Sequence, residues 1–137
     1  MYQGLNNAEL IPLSQSNCIN FDAHADYHVA KGRHSCNVFR YAEEDGYLGK
    51  YCVVGLHENY ISQNVLMDMH NNPFIDYITY EEIFIHERKN FIQAVAHATG
   101  FTEDRYTGIE IDLDCIETIL SSSITQSGIN PFLYRTF

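Results

Sequence analysis

At 137 residues and 15.8 kDa the chain has room for one domain, and 45% hydrophobic with 13% aromatic residues suffice to build one core. Eight basic against eighteen acidic residues leave a formal charge of −10, which repels phosphate backbones and argues against nucleic acid as a partner. No apolar run reaches the roughly 18 residues of a membrane span, and Met1-Tyr2-Gln3-Gly4-Leu5-Asn6-Asn7 lacks the basic and apolar regions of a secretory signal, so a cytoplasmic protein is expected.

In chain order, Cys18-Ile19-Asn20-Phe21 reads as a short strand ending at Asp22, and Arg33 to Glu44 as a helix closed by Asp45-Gly46. Tyr51 to Leu56 is apolar on both faces, as a strand buried in a parallel sheet must be. Ser62 is placed to cap a helix through His70, which Asn71-Asn72-Pro73 stops. Asp76 to Tyr80 is a further strand. From about Glu81 to Thr99 the pattern is helical, with Phe91, Ile92, Val95 and Ala98 on one stripe and Gly100 at the expected C-cap. Tyr106 to Leu113 closes the series, with Ile109, Ile111 and Leu113 on one face and Glu110 and Asp112 on the other.

Strands alternating with helices predict an α/β fold, a mainly parallel sheet with helices on both faces in a three-layer αβα sandwich. In such sheets ligands bind at the carboxyl ends of the strands. Two polar clusters fall there. Asp22-Ala23-His24-Ala25-Asp26 puts three ligand-type side chains on one side of an extended segment, though a polar turn is the plainer reading of it. Glu110-Ile111-Asp112-Leu113-Asp114 repeats the period. Crowded carboxylates destabilise one another unless a cation neutralises them, and oxygen-rich ligation favours manganese or magnesium over structural zinc. The cysteines Cys18, Cys36, Cys52 and Cys115 are widely spaced and expected to be reduced.

The first cluster resembles the DAHxD signature of the arginase/agmatinase (ureohydrolase) family, and Asp112-Leu113-Asp114 resembles that family's later DxD signature. The segments Gly32 to Ala42 and Gly55-Leu56-His57-Glu58-Asn59 are similar to formimidoylglutamase-like members. The resemblance implies an arginase-like fold spanning residues 1–137 as a single partial domain, the middle of the family fold with segments missing on both sides. It implies two Mn2+ ions bridged by Asp22 and Asp112, with His24 and Asp114 completing one ion and Asp26 the other. Asp26 would also hold the bridging hydroxide that attacks the substrate carbon, and His34 would carry protons to the leaving amine. The implied activity is C–N hydrolysis of a small linear amidine, N-formimidoyl-L-glutamate ahead of guanidino compounds.

Several positions depart from the family. Nothing before Cys18 supplies the earlier metal histidine of a GGDH-type motif. His57-Glu58-Asn59-Tyr60 stands where arginases carry Arg-Asp-Val-Asp, which argues against arginine as substrate, and Thr125-Gln126-Ser127-Gly128 replaces a TPxG-type turn. Arg33, Glu58 and Glu110 are weaker candidates for substrate contact, an ordinary surface arginine being the alternative for Arg33. Glu81-Glu82 reads as a solvated helix end. A truncated, non-catalytic remnant that binds metal weakly or not at all is the rival reading. A homo-oligomer is compatible with either.

Overall fold

Leu48, Tyr51, Cys52, Val53, Val54 and Leu56 are all sealed from solvent, so the strand that carries them must be covered on both faces. The computed structural model describes residue 4, residues 15–29, residue 32 and residues 34–116, without the side chain of Asp114. Its strands are β1 (Ser16–Phe21), β2 (Leu48–Leu56), β3 (Ile75–Thr79) and β4 (Thr107–Ile111), and every pairing between them is parallel. Their order is β3-β2-β1-β4. The first strands therefore march outward to β3, and the chain then returns across the sheet to place β4 against β1.

The helices are α1 (Val38–Glu44), α2 (Gln63–Asn71) and α3 (Phe91–Thr102). Phe39 of α1 and Val65 and Met69 of α2 pack with Cys18, Tyr51 and Val53 on one face. Ala94 and Ala98 of α3 pack with Ile19, Cys52, Val54 and Ile78 on the other. The expected parallel, three-layer arrangement is what forms.

Alternation along β2 breaks between Leu48 and Tyr51, which share a face, and again near its end. Val54 faces α3 while Leu56 joins Val53 on the opposite side, and the β2–β3 register shifts between them. Gly55 makes this bulge possible with a φ of 96°, a left-handed conformation that costs glycine no steric penalty.

Several element boundaries differ from expectation, among them β2, which begins at Leu48, and β3, which runs from Ile75 to Thr79. The helix read from Glu81 to Thr99 is two pieces, a π-helical turn over Glu81–Ile85 and then α3. Glu87 at φ 49° breaks the chain direction, and Asn90 restarts the helix in a reciprocal cap with Gln93. Gly100 accordingly lies inside α3, whose C-cap is Glu103. At the other helix, Ser35–Asn37 is a 3-10 turn ahead of α1, with Arg33 outside the described residues. The last strand stops at Ile111, and Leu113–Cys115 winds into a 3-10 turn.

Ile109, Ile111 and Leu113 do share a face of the last segment, but they are 65%, 60% and 53% exposed. Helix α3 packs over β1, β2 and β3, and no described element covers that face of β4. None of the four cysteines is in a disulfide, with Cys36 exposed and the rest buried. Among the described residues no helix is long and apolar enough to cross a membrane.

The core holds several ionisable groups in their neutral forms. Burial pushes the Tyr51 phenol well above its ordinary range, with Cys18, Asp22 and Asp26 adding to the effect. Burial also raises Cys52, with Asp76 adding to it, and raises Tyr27, whose hydroxyl meets Glu43. In the unfolded chain these groups ionise near pH 9–10, at about their free values, so above that range the unfolded state binds fewer protons than the native one. Stability is then level below about pH 9 and falls as pH rises, by about 1.4 kcal/mol per pH unit for each such group. Melting temperatures measured from pH 8 to 11 should trace this decline, and a Tyr51→Phe variant should show a shallower one.

Candidate metal centre

The site forms where β1 and β4 end. After Phe21 the chain keeps the ladder for one more bond, from the Asp22 N–H to the Val54 carbonyl at 3.2 Å. On the other side Asp112 N–H bonds to the Phe21 carbonyl at 3.0 Å. Two carboxylates thus arrive side by side at the carboxyl ends of adjacent parallel strands. Asp26 joins them from the loop: one ligand atom each of Asp22, Asp26 and Asp112 lies within 4.8 Å of the others.

Local interactions hold these acids in place. Asp22 is 1% exposed, and both its oxygens are occupied. Oδ1 accepts from the His24 main-chain N–H at 2.8 Å, and Oδ2 accepts from Asn20 Nδ2 at 3.0 Å. The Asn20 amide also donates to the Tyr51 hydroxyl at 3.1 Å, which in turn donates to the Ala25 carbonyl at 2.9 Å. A buried tyrosine from the middle strand therefore pins the loop one residue before Asp26. Asp26 itself adopts φ 46°, a left-handed conformation that costs a non-glycine residue on the order of 1 kcal/mol and is tolerated best by Asn and Asp.

The remaining candidates sit at varied distances from this cluster. His24 is partly exposed, with Nδ1 3.5 Å from Asp22 Oδ1, and it stands outside the group formed by the acids. Glu110 is half-buried and pairs with Asn20, two residues below the Asp22–Asp112 level. Glu58 is exposed in a 3-10 turn after β2. His34 is exposed at the start of the turn before α1, where its N–H donates to Asn37 Oδ1 at 3.0 Å and the Asn37 amide donates to the Gly32 carbonyl at 2.8 Å. Arg33, the Asp114 side chain and Thr125 to Gly128 lie outside the described residues.

One pair escaped the sequence reading. Glu81, expected at a solvated helix end, is 7% exposed and meets His57 Nδ1 at 3.0 Å, with His57 4% exposed. Glu82 is turned back by a reciprocal cap, accepting from Thr79 N–H and donating its own N–H to Thr79 Oγ1, which leaves Glu81 directed inward. The signal available was position: His57 follows a buried strand at its carboxyl end, as Asp22 does.

The donors suit a hard divalent cation. They are all oxygen, they converge, and the buried member is held rigidly by neutral amides. A parallel α/β sheet with clustered carboxylates at its strand ends defines a class of candidate metal-dependent proteins. The sequence profile of the arginase family matches residues 7–127, and the chain belongs to that family. Among solved structures it is similar to the formimidoylglutamase of Bacillus subtilis subsp. subtilis str. 168, with a TM-score of 0.69 and 16% sequence identity. That alignment covers 85% of this chain and 36% of the other, so the chain spans only part of that protein's length. At this identity the likeness is one of fold. No curated protein matches the sequence.

Proposed function

We propose that the chain, read as one partial arginase-like domain over residues 1–137, carries the centre of a manganese-dependent hydrolase of linear amidines, with N-formimidoyl-L-glutamate as substrate. The observation behind this reading is the convergence of Asp22, Asp26 and Asp112 in an arginase-family fold. Asp22, Asp112, His24, Asp114 and Asp26 would together hold two Mn2+ ions. When bound, the ions lower the pKa of a shared water so that hydroxide is available at neutral pH. Asp26 orients the attacking oxygen by accepting its hydrogen bond. Water activated in this way would supply its oxygen to the formimidoyl carbon as the bond to the glutamate nitrogen breaks, and His34 would return a proton to the leaving amine, giving formamide and glutamate. His34 suits this task by standing on an exposed turn, where it can exchange protons with solvent. Arg33 would offer a partner for the substrate carboxylates, and Glu110 and Glu58 would be weaker substrate contacts. The protein is taken as cytoplasmic, and self-association is compatible with this reading.

A second reading is a non-catalytic remnant. Among the described residues the convergent group contains no histidine, which favours weak cation binding. Titration of the metal-free chain with Mn2+, followed by assay of formamide release from N-formimidoyl-L-glutamate, separates the two. Two tightly bound ions per chain, with release abolished in Asp22→Ala, is the expected result. One weak ion or none, with no release, would leave only the remnant.

A further inference from the structure

A column of packed rings, two contacts stacked and two tilted, runs from the π-helical turn to the proposed metal centre. Phe84 packs on Tyr80 with centroids 4.9 Å apart, and Tyr80 lies over His57 at 5.3 Å and 9°. His57 packs on Tyr60 at 4.7 Å, and Tyr60 stacks on His24 at 5.1 Å and 19°. The column ends on the imidazole of the DAHxD segment. Its middle ring, His57, carries the closer of two carboxylate anchors, the other being His24 Nδ1 with Asp22 Oδ1 at 3.5 Å: the 3.0 Å contact with Glu81 is the shorter of those at His57 Nδ1, so Nδ1–H donates there, and the Asn59 N–H at 3.4 Å adds little. Glu81 also accepts from the Glu58 N–H at 3.3 Å through its other oxygen, and the His57 main-chain N–H bonds to the Ala23 carbonyl at 3.0 Å.

Such a pair is expensive to bury, since each partner loses water that the other only partly replaces. Tyr60 adds a further cost, because its buried hydroxyl finds no hydrogen-bond partner among the described residues. Its ring, by contrast, touches both histidines. We infer that the His57–Glu81 pair, acting through the Tyr60 ring, is a positioning device that fixes the orientation of the His24 imidazole for cation binding. This rests on the reading of His24 as a metal ligand. Glu81 holds His57 in one rotation, Tyr80 stacks on it, Tyr60 packs against it at a 37° tilt, and the Tyr60 ring in turn stacks on His24. A metal-bound histidine needs its ring direction fixed, and at His24 the stacked Tyr60 ring adds to the Asp22 contact at Nδ1 in fixing it.

The test uses the full chain and the variants Tyr60→Phe, Tyr60→Leu and Glu81→Gln. Mn2+ affinity is measured by calorimetric titration, and the ring-proton resonances of His24 are followed in the metal-free chain, assigned with His24→Gln. Tyr60→Phe keeps the ring and should leave affinity and resonances as in wild type. Tyr60→Leu should shift the His24 resonances as the ring current disappears and weaken Mn2+ binding about 10- to 100-fold, the usual effect of removing support from a ligand. Glu81→Gln should act in the same direction and more mildly. A Tyr60→Leu chain with wild-type affinity, or with unmoved His24 resonances, overturns the proposal. If the wild-type chain takes up no Mn2+, the metal reading fails separately. The resonances then decide the column alone: movement in both Tyr60→Leu and Glu81→Gln supports it and constancy in either overturns it.

Discussion

Asp112→Asn should raise the melting temperature of the metal-free chain and, in the same preparation, remove the stabilisation that Mn2+ confers. The two effects share one cause. Ligand atoms of Asp22, Asp26 and Asp112 lie within 4.8 Å of one another. Two unit charges at that range repel by about 3 kcal/mol at an effective dielectric of 20, and solvent at the half-exposed members leaves on the order of 1 kcal/mol. Neutralising one acid recovers that repulsion. With Mn2+ at a hundred times its dissociation constant, the wild-type chain should gain about 2.7 kcal/mol while the variant gains almost nothing. Thermal melts with and without Mn2+ read both signs together. If the variant keeps the wild-type shift on adding Mn2+, Asp112 is not a ligand; if the metal-free variant melts lower, the acids are not repelling one another.

The largest purely structural effect is expected at the opposite end of the sheet. Asn17 is fully buried, and its side chain joins β1 to its neighbours. Its amide donates to the Thr102 carbonyl at 2.8 Å and to Asp104 at 2.9 Å, and its oxygen accepts from the Lys50 N–H at 2.8 Å. Asn17→Ala leaves the part-buried Lys50 N–H without this acceptor and the Thr102 carbonyl with the Thr107 hydroxyl as its side-chain donor, for a loss of about 2 kcal/mol. Gly49 lies against the same oxygen: a Cβ there would sit 2.7 Å from Asn17 Oδ1, closer than any real contact. Gly49→Ala should therefore push Asn17 off the Lys50 N–H and lose about 2 kcal/mol. Because both changes break the same bond, the double variant should fall short of their sum by at least about 1 kcal/mol. Urea unfolding of the four chains measures that coupling, and simple additivity would show that the two residues act apart.

Local regularity explains what could be read from the chain. The unbroken apolar run Tyr51 to Leu56 identifies a buried parallel strand, since both its faces need cover. Its extension back to Leu48 was hidden by Gly49 and Lys50, which are poor strand formers and are held there by Asn17. Ser62 marked the start of α2, and its hydroxyl does accept from the Val65 N–H. Periodicity failed between Glu81 and Asn90, because a π-helical turn and α3 carry the same apolar spacing while a single left-handed residue, Glu87, divides them. The acids that converge were visible in two short motifs, and their position at strand ends followed from the strand pattern. The His57–Glu81 pair was not visible. Its members belong to different strand ends, and only the parallel pairing of β2 with β3 brings them together.

The return of the chain from β3 to β4 gives the acidic cluster a further meaning. Asp22 and Asp26 follow the first strand, while Asp112 follows the last described one, so nearly the whole sheet is built between them. A cation held by both groups would therefore act as a reversible cross-link across the sequence. A covalent link closing a loop of about a hundred residues withdraws roughly 4–5 kcal/mol of chain entropy from the unfolded state. A coordinated ion releases that constraint whenever the acids are protonated or the ion is chelated, so cation supply and the folded fraction of this chain become linked quantities.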